Sequence, residues 1–410
     1  MPFDIASAAK RLKEVCAVTP LDLHTALSEQ YQCNLYLKRE DKQVVRSYKI
    51  RGAYNKISSL RNTDLSRGVV CASAGNHAQG VAYSCRLLNV HGTIFIPANT
   101  PQQKIERVKK WSGDHIQLFL EGDTYDDCYY AAKEHQLKTG QTFIHPFDDE
   151  KIIEGQGTVG LEITDVLENI DYVLVPVGGG GLAAGIGTWF KQYSPNTILI
   201  GVEPEGAASM TAAFEAGKPV ELERIDPFVD GAAVRKVGEL NYHICKETVQ
   251  HIHTVAEGKV CSTLLQLYND EAMVLEPAGA LTIAALDDFA EMIKGKTVVC
   301  IVSGSNNDVL RMEEIKKLAD AYEGLHHHLI IRFKHQPDEL NSLFTKILGL
   351  ENYITGLHYD RREHGRSTYG WVCIKSASKD GYKELLKRMN TSKMEYTEVT
   401  KDDFLFKYLI

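Results

Sequence analysis

Four consecutive glycines, Gly178, Gly179, Gly180 and Gly181, are followed by Leu182 and lie between an apolar run and a stretch of helical composition. Glycine allows backbone N–H groups to converge on an anion, and the N-terminus of a helix attracts negative charge. The order strand, glycines, helix therefore predicts a phosphate-binding site. A flexible turn without a ligand is the less favoured interpretation.

The phosphate at this loop could also belong to a dinucleotide. Gly178, Gly180 and Ala183 satisfy the spacing G-x-G-x-x-A, and Glu203 ends the next predicted strand. A nicotinamide enzyme is therefore an open alternative on this segment alone, since its fingerprint has an acidic residue about 20 positions further on. A Walker loop is excluded because no Gly-Lys-Ser/Thr follows.

Lys49, in the segment Ser47-Tyr48-Lys49, is a candidate nucleophile. A lysine that forms a Schiff base needs a neutral amine, and burial or a cationic neighbour lowers its pKa. Arg46 and Arg51 supply such charge nearby in the sequence. By itself, a lysine beside an arginine is most often a solvated surface residue.

The segment Ser73-Ala74-Gly75-Asn76-His77 ends another predicted strand and begins a predicted helix. Its small residues allow the backbone to approach a ligand, and the amides that begin the helix can bind a carboxylate. Asn76 has the side chain to hydrogen-bond a ring hydroxyl. A lone histidine is more often structural than catalytic, so His77 is given no catalytic role.

Ser303 begins a Ser-Gly-Ser-Asn turn after a further apolar run. Its hydroxyl can donate to or accept from the nitrogen of a heteroaromatic ring. Such turns are common, so this segment means little in isolation.

Short apolar runs, separated by helix-length segments, supply the strands that must position these residues. Such runs are typical of parallel strands buried on both faces, which predicts an α/β fold with right-handed crossovers. Ligands of such sheets bind beyond the carboxyl ends of the strands. The predicted strands are Gly68–Ser73, Thr93–Pro97, Ile116–Leu120, Tyr172–Val177, Thr197–Val202 and Thr297–Val302.

The pattern changes near Gly324, after a charged helical segment, Arg311–Glu323. The order beyond it, βαββαβ, is that of a ferredoxin-like α+β module. The sequence therefore predicts two domains, residues 1–323 and 324–410. The predicted elements of the second are Leu325–Phe333, Glu339–Ile347, Ile354–Asp360, Tyr369–Lys375, Gly381–Met389 and Phe404–Ile410.

Composition excludes several classes of protein. The 410 residues are 44% hydrophobic and 24% charged, and the net charge of −8 argues against a nucleic-acid-binding protein. No apolar run approaches the roughly 18 residues that span a bilayer, and the N-terminus does not resemble a signal peptide. The nine cysteines include no Cys-x-x-Cys pair. A cytoplasmic protein without membrane or nucleic-acid partners is expected.

Taken together, the four segments resemble those of the tryptophan-synthase-β-like, fold type II pyridoxal-phosphate enzymes, and most closely the biosynthetic threonine dehydratases. The resemblance runs from about Thr19 to Asn307 and continues more weakly through the C-terminal module, which resembles a single ACT-like regulatory domain. The dinucleotide alternative explains only one of the four segments. The resemblance implies two parallel-sheet subdomains and pyridoxal 5'-phosphate as cofactor.

The resemblance also implies roles for individual residues. Lys49 matches the catalytic lysine that forms the Schiff base, Asn76 matches the contact to the ring hydroxyl, and Ser303 matches the contact to the pyridine nitrogen. The phosphate-binding loop matches Gly178, Gly179, Gly180, Gly181 and Leu182. The loop that holds the substrate carboxylate matches Ser73, Ala74, Gly75, Asn76 and His77.

The implied reaction is dehydration and deamination of L-threonine, and also of L-serine, to a 2-oxo acid and ammonia. With threonine the product is 2-oxobutanoate, the entry to isoleucine synthesis, and the regulatory module implies feedback control by isoleucine, with valine as a further effector. A homo-oligomer, tetramer or dimer, is implied as well. The alternatives are a serine dehydratase or racemase of the same fold, and an amino-acid sensor with an inactive catalytic fold.

Three positions depart from the family pattern. Tyr48 stands where phenylalanine is usual. The related racemases bind a divalent cation beside a turn that matches Glu203-Pro204, but their second acidic ligand matches Ser209, so no metal is expected there. Many ACT domains bind their effector at a Pro-Gly turn, whereas this chain has Pro337-Asp338. The effector site therefore cannot be placed from the resemblance.

Overall fold

The computed structural model describes residues 3–334, 339–359 and 367–400. The chain divides by its contacts into two compact units, Met1–Asp308 and Val309–Ile410. This division precedes residue 324, where the sequence pattern changes, because the helix Met312–Tyr322 packs on the first strand of the second unit. The functional limits of the two domains, 1–323 and 324–410, stay predictions.

The strands of the first unit form two sheets. The larger has the order β1-β2-β10-β7-β8-β9, in which only β1 is antiparallel to its neighbour, and the smaller has the all-parallel order β5-β4-β3-β6. This confirms the predicted α/β fold with two parallel-sheet subdomains. The strands are Leu21–Leu23 (β1), Asn34–Arg39 (β2), Val69–Ala72 (β3), Gly92–Ile96 (β4), Ile116–Leu120 (β5), Thr142–Phe143 (β6), Tyr172–Pro176 (β7), Ile198–Pro204 (β8), His251–Val255 (β9) and Thr297–Val302 (β10).

All six strands expected from apolar runs are present, and four others were not expected. Of these, β2 was not predicted because Lys38 and Arg39 interrupt its apolar character. Lys38 is nevertheless buried, since its Nζ donates to the Glu162 carboxylate at 2.5 Å. The strand β9 contains His251 and His253, and β1 and β6 are only three and two residues long.

Helices cover the sheets and connect successive strands. Separate apolar cores lie around β7 and β8, with Ile186 and Phe190, and around β3 and β4, with Val81 and Ile94. The helices of the first unit are Ile5–Leu12 (α1), Thr25–Tyr31 (α2), Lys49–Ser58 (α3), Asn62–Leu65 (α4), Asn76–Leu88 (α5), Gln102–Ser112 (α6), Tyr125–Thr139 (α7), Glu150–Thr164 (α8), Gly181–Tyr193 (α9), Ser209–Ala216 (α10), Glu239–Thr248 (α11), Glu257–Glu271 (α12), Pro277–Ala284 (α13) and Leu286–Ile293 (α14).

The described strands of the second unit form a four-stranded antiparallel sheet with the order β12-β13-β11-β14, and helices connect them. This is the βαββαβ arrangement expected from the sequence, except that its fourth described strand lies at Glu395–Val399. The predicted strand Phe404–Ile410 and the turn at 335–338 lie outside the described residues. The elements are Met312–Tyr322 (α15), His326–Lys334 (β11), Glu339–Ser342 (α16), a π-helix at Leu343–Ile347, Asn352–Tyr359 (β12), Ser367–Ser376 (β13), Lys379–Thr391 (α17) and Glu395–Val399 (β14).

Across the described ranges, no helix has both the length and the apolar character required to cross a membrane.

Candidate active site

Three neighbouring parallel strands of the larger sheet end beside the candidate residues. Lys49 begins α3 shortly after β2, Ser303 follows β10 directly, and the glycine loop 178–181 follows β7. Since β10 lies between β2 and β7, their carboxyl ends meet at one edge of the sheet. The segment 73–77 follows β3 of the smaller sheet in the same way.

Backbone hydrogen bonds join the segment before Lys49 to the turn after β10. The Tyr48 N–H donates to the Ser303 carbonyl at 3.2 Å, and the Ser305 N–H donates to the Arg46 carbonyl at 3.0 Å. Ser303 is buried, and its hydroxyl donates to the Ala278 carbonyl at 3.1 Å. Two segments more than 250 residues apart in the sequence (303 against 48) are thereby held side by side.

Burial controls the protonation of Lys49. Its Nζ donates to the Pro146 carbonyl at 2.8 Å, and burial lowers the pKa of this amine to about 8 against the opposing effect of Glu276. About a tenth of the amine is therefore neutral at pH 7 and about half at pH 8, a far larger fraction than for a solvated lysine, and a nucleophile or base needs this neutral form.

The arginine proposed from the sequence as a source of this shift has another role. Arg51 is fully buried, and its guanidinium donates to both carboxylate oxygens of Glu40 at 2.8 Å and to those of Glu162 at 2.6 and 2.9 Å. These two carboxylates neutralise its charge, and burial rather than a cationic neighbour lowers the pKa of Lys49. Arg51 thus anchors α3 instead of tuning the amine.

The glycine loop fits against the same segment that Lys49 contacts. A Cβ atom on Gly179 would lie 2.3 Å from the Phe147 ring, and one on Gly181 would lie 2.8 Å from the Phe147 carbonyl oxygen. The Asn241 amide donates to the Phe147 carbonyl at 3.1 Å and to the Gly179 carbonyl at 2.7 Å. Glycine is therefore required here by close packing, and Pro146 and Phe147 connect the loop to the lysine.

The loop also has the backbone conformation of an anion site. Gly180 has φ +90°, a left-handed conformation that side chains disfavour, and it is the N-cap of α9. Among the residues that the structure describes, no side chain caps this helix, and the first N–H groups of a helix have no partner within it. These amides are oriented to bind a phosphate.

A hydrogen-bonded network connects the two sheets through a residue that sequence analysis missed, Glu276. The Asn76 amide donates to Glu276 Oε1 at 2.7 Å, and the Asn306 N–H donates to Oε2 at 3.2 Å. The Asn306 amide in turn donates to Asn76 Oδ1 at 2.7 Å and to the Val45 carbonyl at 2.8 Å. Asn76 is thus held in one orientation by two partners.

Burial raises the pKa of Glu276 to about 7, with a further contribution from Asp230. The Glu276-Pro277 dipeptide, an N-cap followed by proline at the first helical position of α13, was the available sequence signal. It predicts only the start of a helix, however, and gives no indication of the contact with Asn76, 200 residues away.

The segment 73–77 is open on one side. An added Cβ on Gly75 would meet no atom of the described residues within 4 Å, so the backbone here faces space that a ligand can enter. The Gly75 N–H donates to Ser73 Oγ at 3.2 Å. His77 is buried with Nε2 3.0 Å from the Ile144 carbonyl oxygen, and burial lowers its pKa to about 3. A neutral ring that donates to a carbonyl has a structural role.

Glu203 caps a helix, which removes the acidic partner that the dinucleotide alternative needs. Its carboxylate accepts from the Met210 N–H at 2.7 Å and from both the N–H and the hydroxyl of Thr211 at 2.8 Å. Burial raises the pKa of this carboxyl to about 7. The predicted absence of a metal beside Glu203 and Ser209 stays a prediction.

Comparison with known proteins identifies both parts of the chain. Residues 12–304 match a family described as pyridoxal-phosphate dependent enzyme, and residues 317–409 match one described as the C-terminal regulatory domain of threonine dehydratase. The biosynthetic L-threonine dehydratase IlvA of Halalkalibacterium halodurans is 50% identical, with 99% of this chain and 98% of that protein covered. The IlvA protein of Bacillus subtilis is 47% identical over 99% and 96%.

A solved structure gives the same result. The processed form of threonine deaminase isoform 2 from Solanum lycopersicum is 43% identical and superimposes with a TM-score of 0.74. The match covers 77% of this chain and 91% of that one.

Proposed function

The chain belongs to the biosynthetic L-threonine dehydratases, pyridoxal-phosphate-dependent ammonia-lyases, and we propose that Lys49, Asn76, Ser303 and the glycine loop perform its reaction. The reaction converts L-threonine to 2-oxobutanoate and ammonia, the first step of isoleucine biosynthesis. The observation that carries the assignment of residues is the convergence of Lys49, Ser303 and the glycine loop on one edge of the larger sheet.

The residues present fit pyridoxal 5'-phosphate. Gly178, Gly179, Gly180, Gly181 and Leu182 would hold its phosphate, because the N-terminus of α9 has no side-chain cap. Asn76, held by Glu276 and Asn306, would contact its ring hydroxyl, and the Ser303 hydroxyl its ring nitrogen. In addition, Ser47 Oγ is buried without a partner in the described part of the chain, which leaves a polar atom for a ligand two residues before Lys49.

When bound, pyridoxal phosphate supplies an electron sink at the reacting carbon. Lys49 has the neutral amine needed to take the proton from Cα of the substrate, since burial lowers its pKa to about 8. Holding the base beside that carbon can lower the barrier by several kcal/mol, roughly 7–11 in well-oriented cases. The segment Ser73, Ala74, Gly75, Asn76 and His77 would hold the substrate carboxylate at the N-terminus of α5. The N–H groups of Ala74, Asn76 and His77 would be the donors, since those of Ser73 and Gly75 already donate to the Phe95 carbonyl and to Ser73 Oγ.

A serine at the ring nitrogen favours elimination over racemisation. The Ser303 hydroxyl donates to the Ala278 carbonyl at 3.1 Å in this structure, and it would turn to donate to the ring nitrogen when the cofactor is bound. Because an alcohol is a far weaker acid than a carboxylic acid, it would leave that nitrogen unprotonated. The cofactor would then be a weaker electron sink, which favours departure of the β-hydroxyl over return of the proton to Cα.

We propose that the second unit binds isoleucine as an inhibitor and valine as a further effector. The support is the match of residues 317–409 to the regulatory domain of threonine dehydratase. A homo-oligomer, either dimer or tetramer, and a cytoplasmic location are part of the same proposal. All nine cysteines are buried, which agrees with a reducing compartment.

Replacement of Lys49 by alanine tests the assignment. The variant should fold, should lack the visible absorbance of the bound cofactor, and should lose at least 1,000-fold in 2-oxobutanoate formation, since both nucleophile and base are removed. Lys56→Ala, later in the same helix, is the matched control. Retention of near wild-type activity by Lys49→Ala would show that another residue carries the cofactor. A wild-type chain whose colour does not change on addition of threonine would favour the inactive sensor.

A further inference from the structure

A cluster of two histidines and a cysteine lies on one face of the sheet in the second unit. His326 and His328 are two residues apart on β11, and their side chains therefore lie on the same side of the strand. Cys373 on β13 is directly opposite His328 in the register. His327, between the two histidines, faces the other side and stacks on Tyr382.

The three side chains converge. One ligand atom from each lies within 4.8 Å of the others, and Cys373 Sγ is 2.8 Å from His326 Nε2. All three residues are buried, with exposed fractions of 9%, 1% and 4% for His326, His328 and Cys373. The cluster is not part of the site around Lys49, which lies in the other unit.

We infer that His326, His328 and Cys373 bind a borderline-soft divalent cation, with Zn²⁺ as the best fit. Two imidazole nitrogens and one thiolate are ligands that select Zn²⁺ over Mg²⁺ and Ca²⁺, which prefer oxygen. With Zn–N of about 2.0–2.1 Å and Zn–S of about 2.3 Å, the ligand atoms of a tetrahedral site are about 3.5 Å apart. Cys373 Sγ and His326 Nε2 are closer than this, at 2.8 Å, and no pair of ligand atoms is more than 4.8 Å apart, so small rotamer changes suffice.

The environment of the cluster is compatible with a cation. The carboxylate of Asp320, which is paired with Lys375, favours a positive charge at His326. The ammonium groups of Lys375 and Lys317 disfavour a positive charge there. Binding would convert the buried Cys373 thiol to a thiolate, and this negative charge offsets the effect of the two lysines.

A fourth ligand position remains for water or a nearby oxygen. The Thr355 hydroxyl lies 3.2 Å from His326 Nε2, on β12 beside Cys373. His326 Nδ1 is buried and has no partner among the described residues, whereas Nε2 faces Thr355 and Cys373, so Nε2 is the nitrogen in position to bind the ion. A bound ion would join β11 to β13 and stabilise the second unit.

The full-length holoenzyme, stripped of metal with a chelator and then equilibrated with Co²⁺, tests the site directly. We expect one Co²⁺ per chain after desalting, with intense d–d bands of tetrahedral Co²⁺ and a thiolate-to-metal charge-transfer band in the difference spectrum against the Zn²⁺ form. Zn²⁺ should also raise the temperature of unfolding of the second unit, because it binds only the folded site.

Two variants locate the ion. Cys373→Ser and His328→Gln should each weaken Co²⁺ binding at least tenfold, and Cys373→Ser should abolish the charge-transfer band. His327→Gln, on the same strand but the opposite face, and Cys128→Ser, a buried cysteine of the first unit, should leave stoichiometry and spectrum unchanged. Threonine dehydration without effector should not change in any of the four.

The inference is overturned by a wild-type chain that retains no Co²⁺ or Zn²⁺, or that binds Co²⁺ without a thiolate charge-transfer band. These two results do not depend on the folding of any variant. Equal binding by wild type, Cys373→Ser and His328→Gln would likewise overturn it, because the ion would then lie elsewhere.

Discussion

At the scale of single residues, Lys49 and Glu276 have pKa values displaced toward the neutral form. Burial lowers the pKa of the amine to about 8 and raises the pKa of the carboxyl to about 7. The two groups also interact, since ionised Glu276 favours the ammonium form of Lys49. Both groups therefore gain or lose their proton between about pH 7 and 8, and the charge on each affects the pKa of the other.

Glu276→Gln should shift the acidic limb of the kcat profile to lower pH. The substitution removes a negative charge that stabilises the ammonium form of Lys49, so the amine stays neutral to lower pH, by up to about one unit. The measurement is kcat for threonine from about pH 6 to 10, a range that extends about 2 units to either side of the pKa of Lys49. In this variant the side-chain oxygen of the new glutamine still accepts the hydrogen bond that the Asn76 amide donates.

Glu257→Gln is the matched control for this experiment. Burial also raises the pKa of Glu257, but its carboxylate accepts from the Gly206 N–H rather than from Asn76. The control should leave the profile in place. An unshifted profile in Glu276→Gln with intact cofactor binding would show that this carboxyl does not influence the lysine.

Ala74→Ser should allow D-serine to form from L-serine above the wild-type level. Racemisation needs an acid or base on each face of the carbanion, and Lys49 serves one face. Alanine has no exchangeable proton, whereas a serine hydroxyl at this position would supply one on the other face. Chiral chromatography of the products measures the effect, with Ala74→Gly as control. Wild-type D-serine formation as fast as 2-oxo acid release would contradict the one-sided base.

At the scale of elements, the crossing of α3 and α8 determines where Lys49 lies. A Cβ atom on Gly155 of α8 would lie 2.5 Å from the Arg51 carbonyl oxygen and 2.7 Å from Gly52 Cα, both backbone atoms of α3. Neither can move without shifting α3, whose first residue is Lys49. The ion pairs that Arg51 forms with Glu40 and Glu162 also hold α3 in place.

Gly155→Ala should lower the free energy of unfolding by about 1–3 kcal/mol, the range for overpacked interiors, and should reduce kcat. Gly160→Ala on the same helix is the matched control. Its added Cβ would meet the Trp189 side chain at 3.3 Å, which can adjust, and alanine favours the helix, so we expect a change below about 1 kcal/mol. Urea unfolding and steady-state kinetics measure both. Equal stability of the two variants would argue against a tight crossing at Gly155.

At the scale of the whole molecule, chemistry and regulation are assigned to different units. Every residue proposed to contact cofactor or substrate lies before Asp308, and the match to the regulatory domain begins at residue 317. Regulation in this arrangement is a coupling free energy between two separate sites.

A chain that ends at Asp308 should keep threonine dehydration within about tenfold of the full chain and should lose inhibition by isoleucine. Asn306 and Asn307 must be retained, since Arg107 donates to the Asn306 amide oxygen at 2.7 Å and to the Asn307 carbonyl at 3.0 Å. Activity with and without isoleucine, together with size-exclusion chromatography, gives the result. Isoleucine inhibition of the shortened chain would place the effector site in the first unit.

The sequence alone determined the fold class, the cofactor, the reaction and six of the ten strands of the first unit. These depend on local signals, namely continuous apolar runs, glycines at the start of a helix, and four motifs in a recognisable order. The sequence could not show the partners of these motifs, because hydrogen bonds between residues such as Asn76 and Glu276 join segments 200 positions apart.

Only the tertiary structure decided how the site is tuned. Arg51 is adjacent to the lysine in sequence, but its side chain is buried against Glu40 and Glu162, whereas the Pro146 carbonyl, 97 residues away, receives the Lys49 amine. Likewise, β2 is an interior strand of its sheet despite Lys38, since the charge is paired inside the fold with Glu162. A pKa depends on which atoms surround a group in space and on the loss of water around it, and neither can be read from neighbours in the chain.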